Sequence, residues 1–189
     1  VMIHATNQIE CSGFVVSETA VITSASCFDS LNGDFSTVYV MNAGGGSVHL
    51  HEDYSIETKE NNIAIILLNN AIVFQEGITL AAEDPQVNTE CVVAGYGVTQ
   101  PDAASGMVAS YENVVITDCG DNLTGRVCAG AKGDTDTLGI LCLGDLGAPL
   151  VCNNELVGIG VTDSSCGAGS PDLYQDIKDL NEWIQNMIQ

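Results

Sequence analysis

At 189 residues and 46% hydrophobic, the chain is long and apolar enough to bury a core, which excludes a disordered polypeptide and fits one compact unit with two lobes. Four Lys and Arg against 25 Asp and Glu give a formal charge of -21, which opposes binding to nucleic acid or anionic membranes and favours basic partners. No run of about 18 apolar residues occurs, so no segment reads as a membrane span.

In chain order, short runs rich in Val, Ile and Ala recur between turn residues at 13–23, 37–41, 63–68, 91–95, 114–116 and 150–161, and they read as strands. Gly44-Gly45-Gly46 reads as a flexible turn between two strands, and the polar, proline-containing stretch 83–88 as the boundary between lobes. Strands at this spacing, without alternating amphipathic helices, predict an all-β sandwich or barrel. The end of the chain differs. Leu180, Trp183, Ile184, Met187 and Ile188 recur at helical spacing within 179–189, so a terminal helix packs on the body with Trp183 as its core anchor. No internal repeat is visible.

Eight cysteines (Cys11, Cys27, Cys91, Cys119, Cys128, Cys142, Cys152, Cys166) form an even set without the CxxC pairs of a zinc site. They read as disulfides, which places the protein in an oxidising compartment, secreted and extracellular. The start shows no basic region ahead of an apolar one, so a signal peptide, with or without a propeptide, is expected to have been removed already. Asn122-Leu123-Thr124 is a glycosylation sequon, and Asn122 is expected to carry a glycan. His49 and His51 alternate beside Glu52 and Asp53, but two imidazoles are only half of a tetrahedral set. No metal and no cofactor are expected.

Three segments carry a family resemblance. Cys11-Ser12-Gly13-Phe14-Val15-Val16, followed by Val21-Ile22-Thr23-Ser24-Ala25-Ser26-Cys27, resembles the strand and turn that bear the catalytic histidine of trypsin-like serine proteases. His51-Glu52-Asp53-Tyr54 and Asn61-Asn62-Ile63-Ala64-Ile65-Ile66 are similar to that family's HxDY turn and its aspartate strand. Gly144-Asp145-Leu146-Gly147-Ala148-Pro149-Leu150-Val151-Cys152 resembles the GDSGGP nucleophile loop. The resemblance implies two perpendicular six-stranded antiparallel β-barrels, about 1–85 and 86–177, then a C-terminal helix over about 178–189. It also implies the pairing Cys11–Cys27, Cys91–Cys152, Cys119–Cys128 and Cys142–Cys166, and a deleted calcium loop after Tyr54.

Matched residue by residue, the family's histidine position is Ser26, its aspartate position Asn62 and its serine position Leu146. The mechanism needs a hydroxyl nucleophile, an imidazole that shuttles its proton, and a carboxylate that fixes the imidazole tautomer. None of the three is present, so the expectation is a chain that is not an enzyme. The family's specificity pocket maps onto Ile140 at the floor and Asp163 and Asp172 at the walls, with Thr162 in place of a tryptophan. The pocket reads either as filled or as an acidic remnant that receives Lys or Arg from a partner. Asp145 corresponds to the aspartate that pairs with the family's inserted IVGG-type N-terminus. The chain begins ten residues before Cys11, without that segment, so Asp145 is expected either to be solvated or to sit in a zymogen-like arrangement.

The resemblance therefore implies a serine protease homologue that binds protein and modulates a proteolytic or immune cascade, complement-like or prophenoloxidase-like. An acidic storage or carrier protein, a decoy for protease inhibitors, and a residual hydrolase using Ser26 are the other readings.

Overall fold

The computed structural model describes residues 1–6, 9–98, 109–120, 123–132, 137–162 and 170–189. The first barrel contains β1 (Met2–Thr6), β2 (Ile9–Ser12), β3 (Phe14–Ser17), β4 (Ala20–Thr23), β5 (Tyr39–Val40), β6 (Gly44–Leu50) and β7 (Ala64–Leu68). Their order in the sheet is β2-β1-β5-β6-β7-β4-β3. The two ends of this order, β2 and β3, follow one another in the chain across Gly13, so the sheet closes on itself. Taken as one bent strand, they leave six around the barrel.

The second barrel contains β8 (Thr79–Leu80), β9 (Glu90–Gly95), β10 (Ser110–Thr117), β11 (Arg126–Lys132), β12 (Thr137–Leu138), β13 (Pro149–Cys152), β14 (Glu155–Gly160) and β15 (Asp172–Asp176). The order is β10-β9-β13-β14-β15-β11-β12, and a further pairing of β10 with β11 closes the ring. β8 adds in parallel to β14, and β12 extends β11 as a short hairpin arm. Six principal strands again remain. Three disulfides join Cys11–Cys27, Cys91–Cys152 and Cys119–Cys128. Cys142 is also disulfide-bonded, and its expected partner Cys166 lies outside the described residues.

Two local readings need correction. Gly44-Gly45-Gly46 is not a turn but the start of β6, and the turn lies just before it, at 41–43. Close approach explains the glycine at 46, since a Cβ there would sit 2.4 Å from the Leu67 carbonyl oxygen on β7. The run 150–161 is two strands, β13 and β14, because Asn153 and Asn154 both take left-handed φ values (51° and 65°) and make a hairpin turn.

Three apolar clusters fill the molecule, one inside each barrel and a third drawn from both. The third joins Ile22, Ile63 and Ile65 of the first barrel to Leu156 and Ile159 of the second. Ile177, Leu180 and Ile184 of the C-terminal segment complete it. The helix proper, α1, spans Asn181–Met187 after a 3₁₀ turn at Lys178–Leu180. Its fully buried anchor is Ile184, while Trp183 is half-buried at the rim and donates its indole N–H to Glu52 Oε2 at 2.8 Å. No helix among the described residues is long and apolar enough to cross a membrane.

Where β15 meets the helix, Lys178 Nζ lies 2.6 Å from Asp84 Oδ2, 3.6 Å from Asp179 Oδ1 and 4.0 Å from Asp176 Oδ2. Burial, and then the hydrogen bond to Asp84, push the Asp176 carboxyl up to about 6. An unfolded Asp titrates near 3.9. The folded chain therefore holds a proton that the unfolded chain releases between about pH 4 and pH 6, and this contribution to stability is lost as pH rises through that window. Asp84 is shifted the opposite way by Lys178, so its contribution falls away only at more acidic pH. Asp176→Asn is expected to flatten the stability profile between pH 4 and 6 and to raise stability at pH 7.5 by about 1 kcal/mol after solvent screening. Thermal unfolding across that pH range checks it, and an unchanged slope would refute the assignment.

Candidate functional site

The positions Ser26, Asn62 and Leu146 meet at one corner of the junction between the barrels. Ser26 lies in the 3₁₀ turn Ala25–Leu31 that follows β4, and Asn62 lies two residues before β7. Both are held by a closed ring of neutral hydrogen bonds. Ser24 Oγ donates to Asn62 Oδ1 at 2.8 Å, Asn62 Nδ2 donates to Ser26 Oγ at 3.1 Å, and the two serine hydroxyls share a 2.7 Å bond. The Ser26 backbone N–H also donates to Asn62 Oδ1 at 2.8 Å. Asn62 and Ser24 are completely buried. An amide at position 62 takes up no proton near neutrality, so the ring orders the corner without supplying a base.

Leu146 stands on the turn between Gly144 and β13. Its side chain packs against the core cluster of the first barrel, and its carbonyl accepts the Ser12 N–H at 2.8 Å. The next residue, Gly147, has φ +82°, and a Cβ on it would lie 3.0 Å from the Ser24 nitrogen, so the loop fits tightly against the Ser24–Ser26 corner. An alkyl side chain has no lone pair with which to attack a carbonyl.

Asp145 is not solvated. It is 9% exposed, and its carboxylate accepts the backbone N–H groups of Gly97 at 2.9 Å and Cys142 at 3.0 Å. Burial raises its pKa, and the two amide bonds partly offset this. Asp172 corrects the picture of an acidic pocket open to a partner. It is 1% exposed, and its Oδ2 accepts the amides of Ile140 at 2.5 Å and Leu141 at 2.9 Å, so the carboxylate is turned onto the pocket floor. Ile140 itself packs against the second core. The neighbouring Tyr174 is fully buried, its phenol pushed well above the ordinary range by burial and then by Asp172 and Asp145. Asp163, the other wall, and the sequon residue Asn122 lie outside the described residues. Thr162 Oγ1 accepts the Leu173 N–H at 3.4 Å. His49 Nε2 shares a 3.0 Å bond with Ser47 along β6, and His51 Nδ1 accepts the Asp53 amide in the turn that follows, so the two imidazoles have separate partners.

Three residues of the corner were given no role by the sequence. Ser24 lies within the quoted segment 21–27, while Gln175 and Arg126 lie in no motif. Gln175 on β15 accepts the Asn62 N–H through Oε1 at 2.9 Å, and Arg126 donates to the same oxygen.

Comparison with known proteins fits this geometry. The family model described as Trypsin matches residues 1–184. The chain belongs to the trypsin family of serine proteases. Trypsin from Sarcophaga bullata is 30% identical over 204 residues, covering 93% of this chain and 77% of that protein. Trypsin epsilon from Drosophila erecta is 28% identical over 200 residues, covering 93% and 76%. Among solved structures, neuropsin, a serine protease expressed in the limbic system of mouse brain, superposes with a TM-score of 0.78 at 24% identity, covering 100% of this chain and 93% of its own. Human heparin binding protein superposes with a TM-score of 0.78 at 22% identity, covering 98% and 89%. At these identities the structural likeness concerns the fold.

The trypsin relatives also correct an expectation. The substitutions at 26, 62 and 146 led to the view that the chain is not an enzyme. Proteins named trypsin that match this chain over more than nine-tenths of its length point instead to a protease.

Proposed function

We propose that this trypsin-family chain acts outside the cell by holding a protein partner in the cleft between its barrels, and so modulates a proteolytic or immune cascade. Leu146 carries this reading. It puts an apolar contact, seated on the first core, where family members present their nucleophile. The closed Ser24–Ser26–Asn62 ring gives that contact a rigid neutral wall, and fixed apolar groups bordered by satisfied polar ones are what a protein interface uses at its centre. The charge of -21 favours a basic partner, and the disulfides fit an oxidising, extracellular setting.

A second reading follows from the names of the relatives. In it the chain hydrolyses peptide bonds with a hydroxyl other than one at position 146, the serines at 24 and 26 being the nearest.

One experiment separates the two. A photo-cross-linking residue, p-benzoylphenylalanine, is placed at position 146, and the protein is irradiated in the fluid into which it is secreted. The expected result is one adduct whose partner is recovered at full length, and which is lost when Ser26→Trp crowds the cleft. Cleavage of fluid proteins or fluorogenic peptides that scales with added chain and disappears in Ser26→Ala would replace this reading with the hydrolytic one. Neither adduct nor cleavage would dismiss both.

A further inference from the structure

The loop that leads into Asn62 is held in an unfavourable conformation. Lys59 and Asn61 both take left-handed backbone angles, φ 58° and 48°, although neither is glycine. Such residues persist where the surroundings over-determine them. Within the first barrel the loop is tied by the Lys59 N–H donating to Ser55 O at 2.8 Å and by Asn61 Nδ2 donating to Asp53 O at 3.2 Å. Lys59 Nζ, 2.5 Å from Asp29 Oδ2, and the Ser55 N–H, donating to Glu60 O at 3.2 Å, add to these ties, and further ones come from the second barrel. Arg126, on β11, donates through Nη2 to the Lys59 carbonyl and through Nη1 to Gln175 Oε1. Gln175 faces Arg126 across the β11–β15 pair and is 2% exposed. It uses that same oxygen to accept the Asn62 N–H at 2.9 Å, while its Nε2 donates to Gly125 O at 3.1 Å. One guanidinium thus grips both ends of the strained turn, directly at 59 and through Gln175 at 62. Its planar fork matches two acceptors at fixed separation, and bonds from a charged donor are stronger than neutral ones.

We propose that Arg126 is a positioning residue of the cleft: it clamps residues 59–62 onto the second barrel and thereby sets where Asn62, and with it Ser24 and Ser26, stand. Its bearing on binding rests on the cleft reading given above, whereas the clamp is testable without any partner.

The test is backbone amide exchange measured by NMR on the isolated protein, comparing Arg126→Met, which keeps an apolar stem of similar reach and removes the donors, with Arg126→Lys, whose single head cannot span both acceptors. In Arg126→Met the amides of Asn62 and Ser26 are expected to exchange about tenfold faster or more, while those of Ile22 and Ile65 in the β4–β7 pair keep their rates. Arg126→Lys is expected to fall between the two, and it decides the matter if Arg126→Met does not fold. Acceleration spread evenly over the first barrel, or unchanged rates at 62 and 26, would overturn the clamp. A failed cross-linking experiment would leave the clamp standing, and a failed exchange experiment would leave the binding reading standing.

Discussion

Gly147→Ala is expected to lower the unfolding midpoint by about 10 °C, because the added methyl has nowhere to go. It would lie 2.1 Å from Thr23 Oγ1 and 2.2 Å from the Ser12 carbonyl oxygen. Those two atoms are themselves hydrogen-bonded at 2.7 Å, so the methyl would enter a bond between strands β2 and β4. The φ of +82° adds about 1 kcal/mol of backbone cost for any residue with a Cβ, and an overlap that only backbone movement can relieve adds about 2 to 3 more. At about 2 to 4 °C per kcal/mol for a chain of this length, the sum gives the stated shift. Gly33→Ala is the control. Gly33 has nearly the same φ, +85°, but nothing within 4 Å of its Cβ position, and its replacement is expected to cost only about 1 kcal/mol. Differential scanning calorimetry on the two variants decides the point, and equal losses would mean that backbone angle, not crowding, controls the Leu146 turn.

Replacing the Cys91–Cys152 pair by alanine is expected to cost about 4 kcal/mol, against about 2.5 kcal/mol for the Cys119–Cys128 pair. The bridges close loops with sequence separations of 61 and 9, and the longer loop removes more freedom from the unfolded chain. Both sulfurs of the first pair also sit inside the second core, at 3% and 2% exposure, so their removal leaves a cavity as well. In thermal melts the expected falls are about 12 °C and about 7 °C. A larger fall for the shorter loop would show that strain or residual unfolded-state structure outweighs loop closure.

The strands that the sequence revealed are those whose side chains are dense and branched. Residues 63–68 read as strand and form β7, buried on both faces. The start of β6 was read as a turn because three glycines carry no such pattern, and its pairing with β7 is visible only once Gly46 lies against Leu67. β11 escaped notice for a related reason, since Ala129, Gly130 and Ala131 look neutral until β10 and β15 flank them. At the site, motif spacing located Ser26, Asn62 and Leu146, because each is embedded in a long local signature. The inward turn of Asp172 was not legible, since an acid at a wall position reads as charge on offer until the backbone amides of Ile140 and Leu141 are seen donating to it. Arg126 and Gln175 lie 64 and 113 residues from Asn62, at distances that no local pattern spans.

The third apolar cluster belongs to neither barrel alone. Because Ile63 and Ile65 are buried by Leu156, Ile159 and Ile184, neither half can lose its order without exposing the inner surface of the other. Cooperativity of this kind ties the two barrels into a single unfolding unit. It also means that the placement of the Ser24–Ser26–Asn62 corner relative to the second barrel is inherited from a packed interior and not from a hinge.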